Sequence, residues 1–121
     1  MKILITDSGR GAFLWRDGEA LRPLACPAEC PYCPAADRER LFLCCRKNRD
    51  CCCLSRRTLQ VEKIFPAPPA LAAALPSPCG KFLYFLSTEA DAVQTVSLEK
   101  GELRCAAPAG VFPRSMKLHS S

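Results

Sequence analysis

FLYFLSTEADAVQTVSLEKGELRCAAPAG, residues 82–110, lies without a gap over RLFLCCRKNRDCCCLSRRTLQVEKIFPAP, residues 40–68, at an offset of 42. Leu41 falls on Leu83, Phe42 on Tyr84, Leu54 on Val96, Ser55 on Ser97, Pro66 on Pro108 and Ala67 on Ala109. A third, looser copy begins at the N-terminus, where KILITDSGRGAFLWRDGEAL sits over RLFLCCRKNRDCCCLSRRTL at an offset of 38. Self-similarity at a fixed period of this size is the mark of a repeat architecture. The units run over residues 1–37, 38–79 and 80–121, and together they form one repeat domain.

Each copy reads as short strands. The first is KILIT, LFLCC or FLYFL, rich in β-branched and large residues and closed by a polar turn. The second is AFLWR, CCCLS or VQTVS, and the third is LRPLACP, LQVEKIFP or ELRCAAP. The third ends at proline, which has no N–H for a ladder and so marks a strand end. The last lies in ALAAALP or SMKLH. ALAAAL has helical propensity, but prolines flank it and the repeat sets Ser115–Leu118 against it. Four short strands in each unit is the profile of a propeller blade. The expected fold is therefore all-β, a partial β-propeller of about three antiparallel blades.

The segment GKFLYFLSTEADAVQTVSLEKGEL, followed by APAGVFPRSMKLHSS, resembles the YVTN-type β-propeller repeat of bacteria and archaea. The matching positions are Leu83-Tyr84-Phe85, Val93 to Ser97, Gly101-Glu102, Pro108 with Gly110 and Pro113-Arg114, and Ser77-Pro78-Cys79-Gly80. The likeness is good over 75–121, fair over 38–74 and weak over 1–37. It departs at Cys79, where the family turn has aspartate, and at the cysteines of the second strand of copy two. The resemblance implies a non-enzymatic module that binds a partner or assembles, with loops at the axial mouth as the binding surface. It also implies an inner strand A before each "LYV" strand B. The chain then counts as BCD-ABCD-ABCD-A, with Arg114 to His119 as a last A strand lacking a blade of its own.

Three blades do not close, since propellers need about four or more. Two readings follow. The chain is part of a longer propeller, or copies join head to tail, with the Arg114–His119 strand of one completing the first blade of the next.

The remaining features narrow the function. The chain has 121 residues, 49% of them hydrophobic, enough for one domain with a core. Its net charge of +5 is scattered, and basic residues do not interleave with aromatic ones, so no nucleic-acid platform is expected. The opening MKILITDSGRG lacks the apolar core of an export signal, and the longest uncharged run is broken by prolines, so neither export nor a membrane span is expected. The expected location is the cytoplasm, where ten cysteines are free thiols or metal ligands rather than disulfides.

CPAECPYC, residues 26–33, places Cys26, Cys30 and Cys33 at the C-x3-C-x2-C spacing of radical S-adenosylmethionine enzymes. Those enzymes set the loop on a large α/β barrel, which this chain is too short and too β-rich to form. Thiolates two to four residues apart also suit tetrahedral zinc, so a zinc or iron–sulfur site at Cys26, Cys30 and Cys33 is the alternative function. The plainer reading, with no cofactor, is a proline-stiffened loop linking blade one to the A strand of blade two.

A second cluster is Cys44-Cys45 with Cys51-Cys52-Cys53. A five-residue turn over 46–50 would set Cys45 opposite Cys51 and Cys44 opposite Cys52, on opposite sheet faces. Cysteine as a small core hydrophobe then accounts for them better than a metal. Catalysis finds no nucleophile–base spacing: His119 is the sole histidine, and Asp7, Asp17 and Asp91 read as turn residues. Trp15 is expected to pack between blades.

Overall fold

The computed structural model describes residues 2–7, 9–25, 31–110, 115–117 and 119. Eleven strands appear in chain order: β1 (Lys2–Asp7), β2 (Gly11–Arg16), β3 (Arg22–Pro23), β4 (Pro31–Ala36), β5 (Arg40–Cys45), β6 (Asp50–Ser55), β7 (Val61–Pro66), β8 (Leu71–Pro76), β9 (Phe82–Ser87), β10 (Ala92–Ser97) and β11 (Glu102–Pro108). No helix occurs among the described residues. The strands form three antiparallel meanders, β1-β2-β3, β4-β5-β6-β7 and β8-β9-β10-β11. β1 runs beside β4, and β4 beside β8. This is the expected partial propeller: BCD, ABCD, ABCD. Of the predicted last A strand, Arg114 and Leu118 lie outside the described residues, and Ser115–Lys117 and His119 are not strand.

The backbone repeats more faithfully than the side chains do. Leu59 N donates to Ser55 O at 2.8 Å, and its counterpart Gly101 N donates to Ser97 O at 2.7 Å. Ala67 N to Arg49 O recurs as Ala109 N to Asp91 O, and Arg56 N to Glu39 O recurs as Leu98 N to Lys81 O. Positive φ angles recur as well, at Arg49 (54°) and Asp91 (49°), and at Leu59 (59°) and Gly101 (68°). Ser55 and Ser97, alike in both copies, cap the turns that follow them.

Alternation along the strands gives every sheet two faces, and stacking the sheets produces two cores. In the first, Leu4, Ala12, Leu14 and Leu24 of sheet one meet Leu41, Leu43, Cys52 and Leu54 of sheet two. In the second, Phe42, Cys44, Cys51, Cys53 and Phe65 of sheet two meet Leu71, Leu83, Phe85, Val96 and Leu98 of sheet three. Phe42, Leu43, Leu54, Leu83 and Phe85 are fully buried. At roughly 1.5–3 kcal/mol for each large apolar side chain removed from water, these seams are what hold sheet to sheet.

Three readings need correction. The cysteine hairpin turns over 46–49, not 46–50, because Arg49 adopts the left-handed conformation and donates its N–H to Cys45 O at 3.0 Å. Asp50 therefore opposes Cys45, Cys44 opposes Cys51, and Cys52 opposes Leu43. The first hairpin is one residue shorter, pairing Asp7 with Gly11, with the Asp7 carboxylate accepting from Gly9 N and Arg10 N. Trp15 thus occupies the place of Leu54 and Val96 rather than that of Cys53, and it belongs to neither core. Pro31 to Cys33 lie in β4 and not in a linking loop, despite Pro31 and Pro34. An inner edge strand tolerates proline, since one row of its N–H groups has no ladder partner.

Candidate functional site

The seam between sheets two and three is tied by polar contacts at three places. At its inner edge, Leu71 N donates to Tyr32 Oη at 3.3 Å and Cys33 Sγ donates to Leu71 O at 3.4 Å. At its outer edge, Lys63 Nζ donates to the carbonyls of Leu98 at 2.9 Å and Glu99 at 2.6 Å. At the end formed by the A–B turns, Arg40 Nη2 donates to Gly80 O at 2.6 Å.

That last contact shapes the candidate site. Asp37 folds its turn by accepting from Glu39 N at 2.9 Å and Arg40 N at 2.7 Å. Its second oxygen holds the Arg40 guanidinium at 2.9 Å, with both side chains largely buried. Opposite, Ser77–Gly80 turns on Gly80 (φ 74°), where an added Cβ would stand 3.2 Å from Arg40 Nη2. Between the turns lies an open cleft of about 890 Å³, lined by Asp37, Arg38, Glu39, Arg40, Glu62, Ser77 and Cys79. A smaller cleft of about 510 Å³ adjoins the next turn, with Lys81, Lys100 and Arg104 on its walls and Arg104 above the Phe82 ring at 5.4 Å.

The lining carries both signs of charge, with Ala36, Leu75, Pro76 and Pro78 set among them. Such a surface suits hydrogen-bonded recognition of a polar segment better than burial of an apolar ligand. Cys79 is fully exposed, and its thiol pKa is lowered by the Ser77 hydroxyl at 3.3 Å and then by the Lys81 backbone. Among the described residues, no histidine or carboxylate is shown bonded to Cys79, while Asp37, Glu39 and Glu62 line the same groove.

Of the three thiols with metal-ligand spacing, Cys26 and Cys30 lie outside the described residues. Cys33 is half-buried on β4 and packs against the second core. Burial pushes its pKa up to about 11, with the nearby Cys44 adding to the effect. A thiolate role for Cys33 would require it to release Leu71 O and lose a proton against that burial. No group of three candidate ligands is poised around a metal position among the described residues.

Cys44, Cys45, Cys51, Cys52 and Cys53 are buried and reduced, as expected of small core residues. Contact with Cys44 raises the Cys51 thiol well above its ordinary value, ahead of burial itself. The groove was not legible as a site, since its residues come from two turns about 40 positions apart. The signal available was the Ser-Pro-Cys-Gly turn and its opposite number, Asp37 to Arg40.

No protein-family model matches the chain, and no curated protein matches it. Solved structures do. A chain of the nidogen/laminin complex matches with a TM-score of 0.77 at 18% identity, over 88% of this chain and 43% of that one. Hydrazine synthase of Kuenenia stuttgartiensis matches with a TM-score of 0.64 at 20% identity, over 83% of this chain and 28% of that one. The chain thus spans less than half the length of either. These likenesses define the class: a propeller-like protein, three blades side by side. No helix among the described residues is long and apolar enough to cross a membrane.

Proposed function

We propose that the chain is a non-enzymatic β-propeller module of the YVTN type, used for binding or assembly in the cytoplasm as part of a larger or oligomeric propeller. The observation that supports this most is the charged cleft at the turn end of the second seam. It is built from two A–B turns of neighbouring units and bridged by Arg40 between Asp37 and Gly80. Propellers present variable turns on a rigid frame, and here the frame is tied down directly beneath them. Mixed charge in the cleft favours a polar peptide segment of a protein partner over nucleic acid.

Two measurements test the reading. Titration with a mixed library of short charged peptides, followed by amide chemical shifts, should perturb Asp37–Arg40 and Ser77–Gly80 first. Perturbations confined to the opposite turns, 46–49 and 88–91, would contradict it. Chromogenic ester, phosphate and peptide substrates should show no turnover, and turnover abolished by Cys79→Ala or Asp37→Asn would overturn the non-enzymatic assignment.

A further inference from the structure

The five cysteines of the β5–β6 hairpin are not equivalent. Cys45 opposes Asp50, Cys52 opposes Leu43 and Cys53 opposes Phe42. Among the described residues, Cys44 and Cys51 are therefore the one pair of thiols set face to face across two strands. Opposed side chains share a sheet face, and both of these enter the second core fully buried. They also touch, the Cys51 thiol being hydrogen-bonded to that of Cys44.

The ladder decides how close the two backbones come. Arg56 N donates to Glu39 O at 2.8 Å, just outside the pair Arg40–Ser55, which makes that pair a non-hydrogen-bonded one. The two kinds of pair alternate, and the register runs without a shift from Arg40–Ser55 to Cys45–Asp50. Phe42–Cys53 and Cys44–Cys51 are then non-hydrogen-bonded pairs as well. At such places Cα atoms stand about 4.5 Å apart, within the roughly 4.4–6.8 Å that a disulfide spans. The fold does not itself require thiols there. At the equivalent positions sheet one pairs Thr6 with Ala12, and sheet three pairs Leu86 with Val93.

We propose that Cys44 and Cys51 form a redox-active dithiol that reacts with low-molecular-weight disulfides and closes to a cross-strand disulfide. One protein thiolate attacks a sulfur of glutathione disulfide, forming a mixed disulfide and expelling one glutathione thiolate. The second protein thiolate attacks the protein sulfur of that mixed disulfide and expels the other glutathione. Two electrons and two protons pass from the pair to the oxidant, leaving one Cys44–Cys51 bond and two molecules of glutathione. Both protein sulfurs are shielded from water, so the reaction waits on local opening of the seam and is slow beside modification of the exposed Cys79.

The test is equilibration of the folded 121-residue chain with glutathione disulfide and glutathione, followed by alkylation of the remaining thiols and tryptic mapping. Trypsin cuts between the two strands, so the bond should appear as Leu41–Arg46 joined to Asp50–Arg56, with fragmentation placing it at Cys44 and Cys51. Cys44→Ala should abolish the link, while Cys45→Ala and Cys52→Ala should leave it in place. In urea, where the ladder is gone, the preference for this pair should vanish. Closure also has its own concentration law. Raising both forms of glutathione about tenfold at a constant ratio should lower the quotient of oxidised to reduced pair about tenfold, whereas a mixed disulfide that never closes would not respond.

A pair that stays reduced under excess glutathione disulfide would overturn the proposal. So would a bond from Cys44 to Cys33 or Cys45, a mixed disulfide stalled at either position, or the same selectivity in urea. Circular dichroism shows whether each variant folds. Should Cys44→Ala not fold, Cys51→Val, which introduces the residue that sheet three carries at that place, is to abolish the same link. The mapping and the glutathione dependence need the wild-type chain alone, and both leave the peptide-binding test of the cleft untouched.

Discussion

Leu59 and Gly101 stand 42 positions apart, share a left-handed backbone, and donate to equivalent serine carbonyls, Ser55 and Ser97. The repeat is thus a property of the main chain that tolerates quite different side chains. At Gly101 tolerance ends, because an added Cβ would stand 3.2 Å from Phe65 Cβ in the second seam. Gly101→Ala should lower stability by about 1–3 kcal/mol through backbone strain and this contact. Urea unfolding measures the loss, and an unchanged midpoint would contradict the assigned geometry.

Arg40 joins the Asp37 turn to Gly80 across the same seam. Arg40→Met keeps the apolar stem but leaves Asp37 Oδ2 and Gly80 O without this donor. We expect a loss of about 1–3 kcal/mol in urea unfolding. Arg40→Lys should recover part of it, because a single ammonium cannot serve both acceptors with the geometry of the guanidinium fork.

Alkali should loosen the second seam before the rest. Burial raises the Cys33 and Cys53 thiols to about 11 from an ordinary 9.0, and burial also raises the Tyr32 phenol. Their neutral forms are the ones the fold favours. The stability they contribute is fully present below pH 9.0 and is lost as pH climbs through about 11. Unfolding midpoints measured from pH 7 upward should stay level with respect to these groups and then fall above 9. Cys53→Ala should flatten part of that fall.

Seven cysteines have described side chains, and Cys79 alone among them is exposed. Its lowered pKa adds thiolate at neutral pH. Brief alkylation of the native protein, read by peptide mass mapping, should mark Cys79 and spare Cys44, Cys45, Cys51, Cys52 and Cys53. Ser77→Ala removes the first cause of the lowered pKa and should slow the labelling of Cys79.

Much of this architecture was readable from the residues. The 42-residue period fixed the number of sheets, and alternation with proline stops located β1, β2 and β5 to β11 closely. Misreadings arose where turn length is decided by backbone conformation rather than residue type. Arg49 does not announce a left-handed angle as glycine would, so the cysteine hairpin was set one residue out. The same kind of error set Trp15 among the core positions, whereas it is half-buried and belongs to neither core. β4 was read in part as a linking loop because Pro31 and Pro34 suggest one, although an inner edge accommodates both. The cleft at Arg40 and Gly80 escaped notice because it exists only once two units are side by side.

The most direct test of the central claim, that equivalent sheets stack face on face, is a set of methyl nuclear Overhauser contacts. Leu41 and Leu54 should show contacts to the Leu4 and Leu14 group, while Leu83 and Val96 should show them to the Phe42 and Phe65 group. Contacts from Leu83 to Leu4, or from Leu41 to Phe85, would mean the sheets stack otherwise and would contradict the account.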